Sequence, residues 1–151
     1  MNYYNEINEA NDVFITKIFE PSENSFEFEL SIGKVSEFEE DTIINNINIG
    51  PSKSIYFDHE STRYKIYFEN YISYAVINEN YNQLAGEGFT GRNIRIYSES
   101  SFLKYVSVDT FATNQYPGEF KHYAFLSWNH IINVSSESEP IIERLDKKNF
   151  P

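Results

Sequence analysis

Phe26-Glu27-Phe28-Glu29-Leu30-Ser31-Ile32 alternates apolar and polar side chains without an error. Period two is the repeat of an extended strand, whose successive side chains point to opposite faces. The pattern predicts Phe26, Phe28, Leu30 and Ile32 on a core face and Glu27 and Glu29 in solvent. Just before it, Val13-Phe14-Ile15-Thr16-Lys17-Ile18-Phe19 is strand-like and more apolar. Glu20-Pro21-Ser22-Glu23-Asn24 joins the two with turn-forming residues, so the pair reads as an antiparallel hairpin.

Further strand signals lie downstream. Ser54-Ile55-Tyr56-Phe57 and Tyr64-Lys65-Ile66-Tyr67-Phe68 flank the polar stretch Asp58 to Arg63 and read as a second hairpin. Tyr71 to Ile77 is an apolar run expected in a central strand, and Asn93 to Tyr97 alternates again. Lys121 to Val134 is strand-forming, with a break expected near Trp128-Asn129. Ser98 to Val106 is the best helix candidate. Ser98 or Ser100 can cap its first turn, and Phe102, Leu103 and Val106 share one face. Glu37 to Asn48, where four acids precede a run of isoleucine and asparagine, reads as either a short helix or a long loop. Together these segments predict a mainly β chain: an antiparallel sandwich or partly open barrel of seven to eight strands with one short helix. A polar lead (1–11) and a polar tail (143–151) flank one domain (12–142).

The composition supports a single core and narrows the function classes. At 151 residues, a folded chain buries about 70% of the surface its unfolded form exposes. Thirteen Phe and twelve Tyr supply large buried areas and favour strands. The formal net charge is −11, so approach to a nucleic-acid backbone adds repulsion in place of counterion release. No nucleic-acid partner is therefore expected. No apolar run reaches the length of a membrane helix, and no basic or apolar leader follows Met1. With no cysteine, these features lead to an expectation of a cytosolic protein without membrane association.

Four candidate chemical motifs each meet a physical objection. Gly86-Glu87-Gly88-Phe89-Thr90-Gly91 matches the dinucleotide string, but that site needs a strand before it and a helix after it. Here a strand follows, and Glu87 would repel phosphate, so a flexible turn is expected. Asp58-His59-Glu60 holds three potential metal ligands, yet neighbours on a strand alternate faces and cannot converge on one ion. His122 and His130 are too far apart along an unbroken strand to share a site, about 27 Å at ~3.4 Å per residue. One is expected among aromatics and the other at an edge. No nucleophile elbow accompanies the serines. Neither an enzyme, a metal site nor a cofactor is expected. The acidic cluster Glu37, Glu39, Glu40 and Asp41 is either a solvated face or a docking surface for a basic partner.

Three segments carry a family resemblance: Phe68 to Glu79, Ile94 to Val106, and the set Tyr116-Pro117-Gly118, Lys121-His122-Tyr123 and Asn129 to Ser135. They resemble a family of small acidic bacterial proteins associated with immunity or antitoxin partners of polymorphic toxins. The resemblance spans roughly residues 50 to 142 and identifies no site residue. It implies a non-catalytic binding protein that occludes a basic protein partner such as a toxin. The alternative from another class is a ligand-binding or enzymatic β-barrel with an aromatic-lined pocket.

Overall fold

The structure is a computed structural model and describes residues 2–83 and 88–146. Helix α1 (Tyr4–Glu9) leads into β1 (Val13–Phe19) and β2 (Phe26–Ile32). A ribbon follows, β3 (Lys34–Ile44) and β4 (Ile47–Tyr56). Then come β5 (Arg63–Phe68), β6 (Ser73–Asn78), a 3-10 turn (Glu79–Tyr81), β7 (Phe89–Thr90) and β8 (Ile94–Tyr97). Helix α2 (Ser101–Asp109), β9 (Lys121–Leu126), β10 (His130–Ser136) and β11 (Ile141–Arg144) complete the described chain. The protein is mainly β, as the alternating segments predict, but with eleven strands among the described residues in place of seven or eight. They form a four-stranded sheet in the order β1-β2-β5-β11, a five-stranded sheet in the order β6-β10-β9-β8-β7, and a separate two-stranded sheet, β3-β4. The sheets do not close into a barrel.

The two larger sheets face each other across an aromatic core. In β2, Phe26, Phe28 and Leu30 are fully buried and lie opposite Phe68, Ile66 and Tyr64 of β5. From the other sheet, Tyr123, Phe125, Ile132 and Val134 complete the cluster. Phe125 meets Phe28 edge-on at 4.9 Å and Phe68 at 6.1 Å, while Tyr123 lies 5.6 Å from Phe68. Such pairs add about 0.5–1.5 kcal/mol each beyond the area they bury.

Residues expected as a polar lead enter this core. Ile7 of α1 is fully buried. The Asn8 side-chain oxygen accepts the backbone N–H groups of Arg92, Asn93 and Ile94 at 2.7, 2.8 and 2.9 Å. Asn93 returns the contact by donating to the carbonyls of Ile7 and Ala10, both at 2.8 Å. One pair of asparagines thus ties α1 to β8. At the other end, β11 runs to Arg144 and adds to β5, with Ile142 in the core.

Several local expectations need correction. Glu37 to Asn48 is neither helix nor loop but the outer part of β3, the turn and the start of β4. Its turn is Asn45-Asn46, both with positive φ (50° and 63°), as a tight two-residue hairpin turn requires. The proposed pairing of Ser54–Phe57 with Tyr64–Phe68 does not form. Ile55 and Tyr56 pair with β3, and β5 sits between β2 and β11. Strand β6 is at the sheet edge rather than its centre. The hairpin β1-β2, the cap of α2 at Ser100 and the break at Trp128-Asn129 form as expected. That break is a corner: Asn129 accepts from Ile15 N at 3.0 Å and donates to Ile15 O at 2.8 Å, standing in for a neighbouring strand on β1.

Glu29 is the most instructive departure. The alternation puts it in solvent, whereas it is buried at 9% exposure beside Arg63 at 3%. Arg63 Nη1 lies 3.1 Å from Glu29 Oε2, and Lys17 Nζ lies 2.8 Å from Oε1. The carboxylate tolerates burial because both oxygens meet cations. Phe26, Phe28 and Leu30 point inward as predicted, and Ile32 is half-buried. Removing Arg63 leaves the buried carboxylate with Lys17 alone. An Arg63→Met variant is expected to lose about 3 kcal/mol in urea unfolding, while Arg63→Met with Glu29→Leu recovers most of that loss. A double variant no more stable than the single one would contradict this.

Candidate functional site

The β3-β4 ribbon stands outside the aromatic core. No residue of either strand belongs to the buried cluster. Strands of eleven and ten residues at about 3.3 Å per residue give an arm of about 30 Å. Its base is held by Lys34, whose Nζ donates to Asp58 Oδ1 at 2.7 Å. This bond is the main reason that the Asp58 carboxyl lies below its usual range. Beyond the base, Thr42 and Ser52 share a hydroxyl hydrogen bond, and Asn48 accepts from Gly50 N at 2.8 Å. Gly50 has φ +106°, and beside it the register shifts between Asp41 and Ile43. A second shift lies between Val35 and Glu39. Each β-bulge strengthens local twist, and together they broke the alternation that would have marked the strand.

All four acids singled out from sequence lie on β3 and are exposed. Glu39 lies opposite Lys53, Glu40 opposite Ser52 and Asp41 opposite Pro51. Since neighbours on a strand alternate faces, the negative charge covers both sides of the arm. The sequence reading missed what surrounds them. Phe38 is 76% exposed, and Ile43, Ile44, Ile47 and Ile49 are all exposed around the tip. Ile44 pairs with Ile47 and Ile43 with Asn48, so exposed isoleucine lies on both faces of the ribbon's end, next to the carboxylates. The signal for it was Asn45-Asn46 between two isoleucine pairs.

The remaining candidates resolve as follows. Gly88 and Gly91 have positive φ and flank β7, and a side chain at Gly91 would strike the Ile94 carbonyl. Phe89 and Thr90 of the glycine string form β7 itself, and Gly86 and Glu87 lie outside the described residues. Asp58 accepts from Glu60 N at 2.9 Å in a loop, and His59 faces Glu60 at 3.6 Å. Among the described residues, no three His, Asp or Glu side chains converge as a metal-ligand group. His122 and His130 sit toward opposite ends of the β9-β10 hairpin, since His122 pairs with Ser135 and Ile131 with Leu126.

His122 is the aromatic-packed histidine, and it joins a buried polar chain. Its ring stacks on Tyr97 at 4.7 Å and lies 4.9 Å from Phe102 of α2. Nε2 is 2.8 Å from Asn133 Oδ1 and Nδ1 is 2.9 Å from Ser100 Oγ. An amide oxygen can only accept, so Nε2 carries the proton and Nδ1 accepts the serine hydroxyl. Ser100 Oγ in turn caps α2 by accepting Leu103 N–H at 3.0 Å. The order serine, histidine, asparagine is chemically that of nucleophile, base and orienter. The neutral amide, however, offers no charge to stabilise an imidazolium, and burial lowers the ring to about 4. The chain is suited to locking α2 onto the sheet, and poorly suited to taking a proton.

Comparison of the chain with protein families, curated proteins and solved structures gives no match.

The His122 environment sets a pH dependence. The folded ring holds its proton less tightly than the unfolded one, whose ordinary value is 6.5. Between these values the unfolded state binds more protons, so stability is full above about pH 6.5 and falls as pH drops toward about 4. The loss is on the order of 3 kcal/mol. Urea midpoints across this range should fall more steeply for the parent protein than for His122→Gln. Parallel pH profiles would contradict the assignment.

Proposed function

We propose that this chain is a non-catalytic binding protein of the immunity or antitoxin type, which occludes a basic protein partner with its β3-β4 arm. The observation that carries the reading is the exposure of an isoleucine tip together with Glu37, Glu39, Glu40 and Asp41 on one ribbon outside the core. The exposed apolar tip supplies contact area, and the acids select the sign of the partner. The charge of −11 extends that selection over the whole surface and steers a basic partner inward. The family resemblance of the segments that build β6, β8, α2, β9 and β10 supports the same class.

The alternative, a ligand-binding or enzymatic barrel, needs an aromatic-lined interior. The aromatic interior here is filled by its own rings, Phe26, Phe28, Phe68, Tyr123 and Phe125. That filling favours a binding surface over a central pocket.

The test takes the product of the adjacent reading frame as the candidate partner. Association is followed by stopped-flow mixing across a salt series. The expected association rate falls as salt rises, because screening shortens the field to about 8 Å at 0.15 M. Replacing Glu37, Glu39, Glu40 and Asp41 by Gln, Gln, Gln and Asn should slow association about tenfold at low salt and change dissociation less. An unchanged association rate in that variant would remove the acidic cluster from the interface.

A further inference from the structure

A second surface, sharing no lining residue with the arm, has its own chemistry. Between the segment that enters β6 and the loop after α2 lies a cleft of about 480 Å³, within the range of small-ligand sites. Ile72, Ala112 and Pro117 give it an apolar lining, Phe111 and Tyr116 give it two rings beside Tyr71, and Glu137 gives it a carboxylate. Phe111 is 84% exposed and Tyr116 65%. The two rings lie nearly parallel, 20° apart with centroids 6.0 Å apart.

The loop that carries them is held in shape. Thr113 N donates to Tyr116 O at 2.6 Å and Tyr116 N returns to Thr113 O at 3.0 Å. Thr110 Oγ1 accepts Ala112 N at 3.1 Å while donating to Val106 O at 2.8 Å, which ties the loop to α2. Across the cleft, the Glu137 carboxylate rests on Gly118, where a β-carbon would come within 2.8 Å of Oε1. The glycine makes room for the acid. Among the described residues, Glu137 has no ion-pair partner within this chain.

We propose that this cleft binds an organic cation on an aliphatic stem, a guanidinium or alkylammonium group. Each alternative class fails on the lining. An anion finds no Lys, Arg or His there. A neutral apolar ligand would leave the exposed Glu137 carboxylate unpaired. A hard metal ion needs several oxygen ligands converging at short range, and the cleft has one carboxylate. An organic cation satisfies every part: its charge meets Glu137, its face or hydrogens lie over Phe111 or Tyr116 within about 6 Å of the ring centre, and its stem covers Ile72, Ala112 and Pro117. Because the loop is already ordered, little freedom is lost on binding.

The probe is butylguanidinium, with butylurea as the uncharged control of similar shape, titrated into isotopically labelled protein and read by amide chemical shifts. Butylguanidinium should give saturable shifts confined to residues 70–72, 110–118 and 137, with a Kd on the order of 1 mM. Butylurea should bind at least tenfold more weakly. Glu137→Gln should weaken butylguanidinium at least fivefold and leave butylurea unchanged, and Phe111→Ala should weaken both. A blocked tripeptide centred on arginine distinguishes the sources of the cation. Tighter binding of the tripeptide identifies a polypeptide side chain as the occupant, and weaker binding identifies a small molecule. Shifts elsewhere, no saturation, or equal binding of the charged and uncharged probes would overturn the proposal. None of these outcomes depends on a partner for the arm, so failure here and failure of the arm reading are separable.

Discussion

The contact of Phe28 and Phe68 with Phe125 and Tyr123 holds the two larger sheets together, and the rest of the molecule is arranged around it. These rings come from β2, β5 and β9, which are distant in the chain. Helix α1 adds Ile7 at one margin of this core. Helix α2 covers the outer face of the five-stranded sheet, where the Ser100–His122–Asn133 chain fixes it. The Asn129 corner fastens the β9-β10 turn to β1. With the sandwich closed by its own aromatics, the ribbon and the cleft beside Glu137 face outward.

That division separates the parts that carry stability from the parts available for recognition. Glu29 and Arg63, the asparagine pair at α1 and the His122 chain all satisfy polar groups inside the body, where an unmatched group costs most. The arm makes the opposite choice. It leaves isoleucines and carboxylates in water, and each of its strands has a single partner. Two strands without a third are marginal in isolation. The Lys34–Asp58 anchor and the cross-strand hydroxyl pair hold the ribbon in register without burying its tip.

The fold class was legible because β2 alternates cleanly and because aromatic residues dominate the apolar set. The cap at Ser100 and the turn at Trp128-Asn129 were legible for a local reason: each is set by residues adjacent in sequence. Pairing was not. Tyr64–Phe68 belongs with Phe26–Ile32 across a gap that contains the whole arm, and nothing local encodes that choice. Glu29 misleads because a strand pattern reports facing and not what covers a face. The arm itself was hidden by two bulges that break period two. Its acids were found by charge alone, and its isoleucine tip was passed over because isoleucine suggests a core. The cleft brings Phe111 and Tyr116 of the loop after α2 against Glu137 beyond β10, and nothing in the sequence signals that meeting.

The proposed function places recognition on the β3-β4 arm, outside the aromatic sandwich. Amide hydrogen exchange, measured on the free chain and on its complex with a basic partner, tests this most directly. The account predicts that in the free chain the amides of 35–55 exchange through local opening, far faster than those of β2, β5 and β9. In the complex, protection should rise along 35–55 while the core strands keep their free-state rates. Equal protection of arm and core in the free chain, or protection on binding that bypasses 35–55, would contradict it.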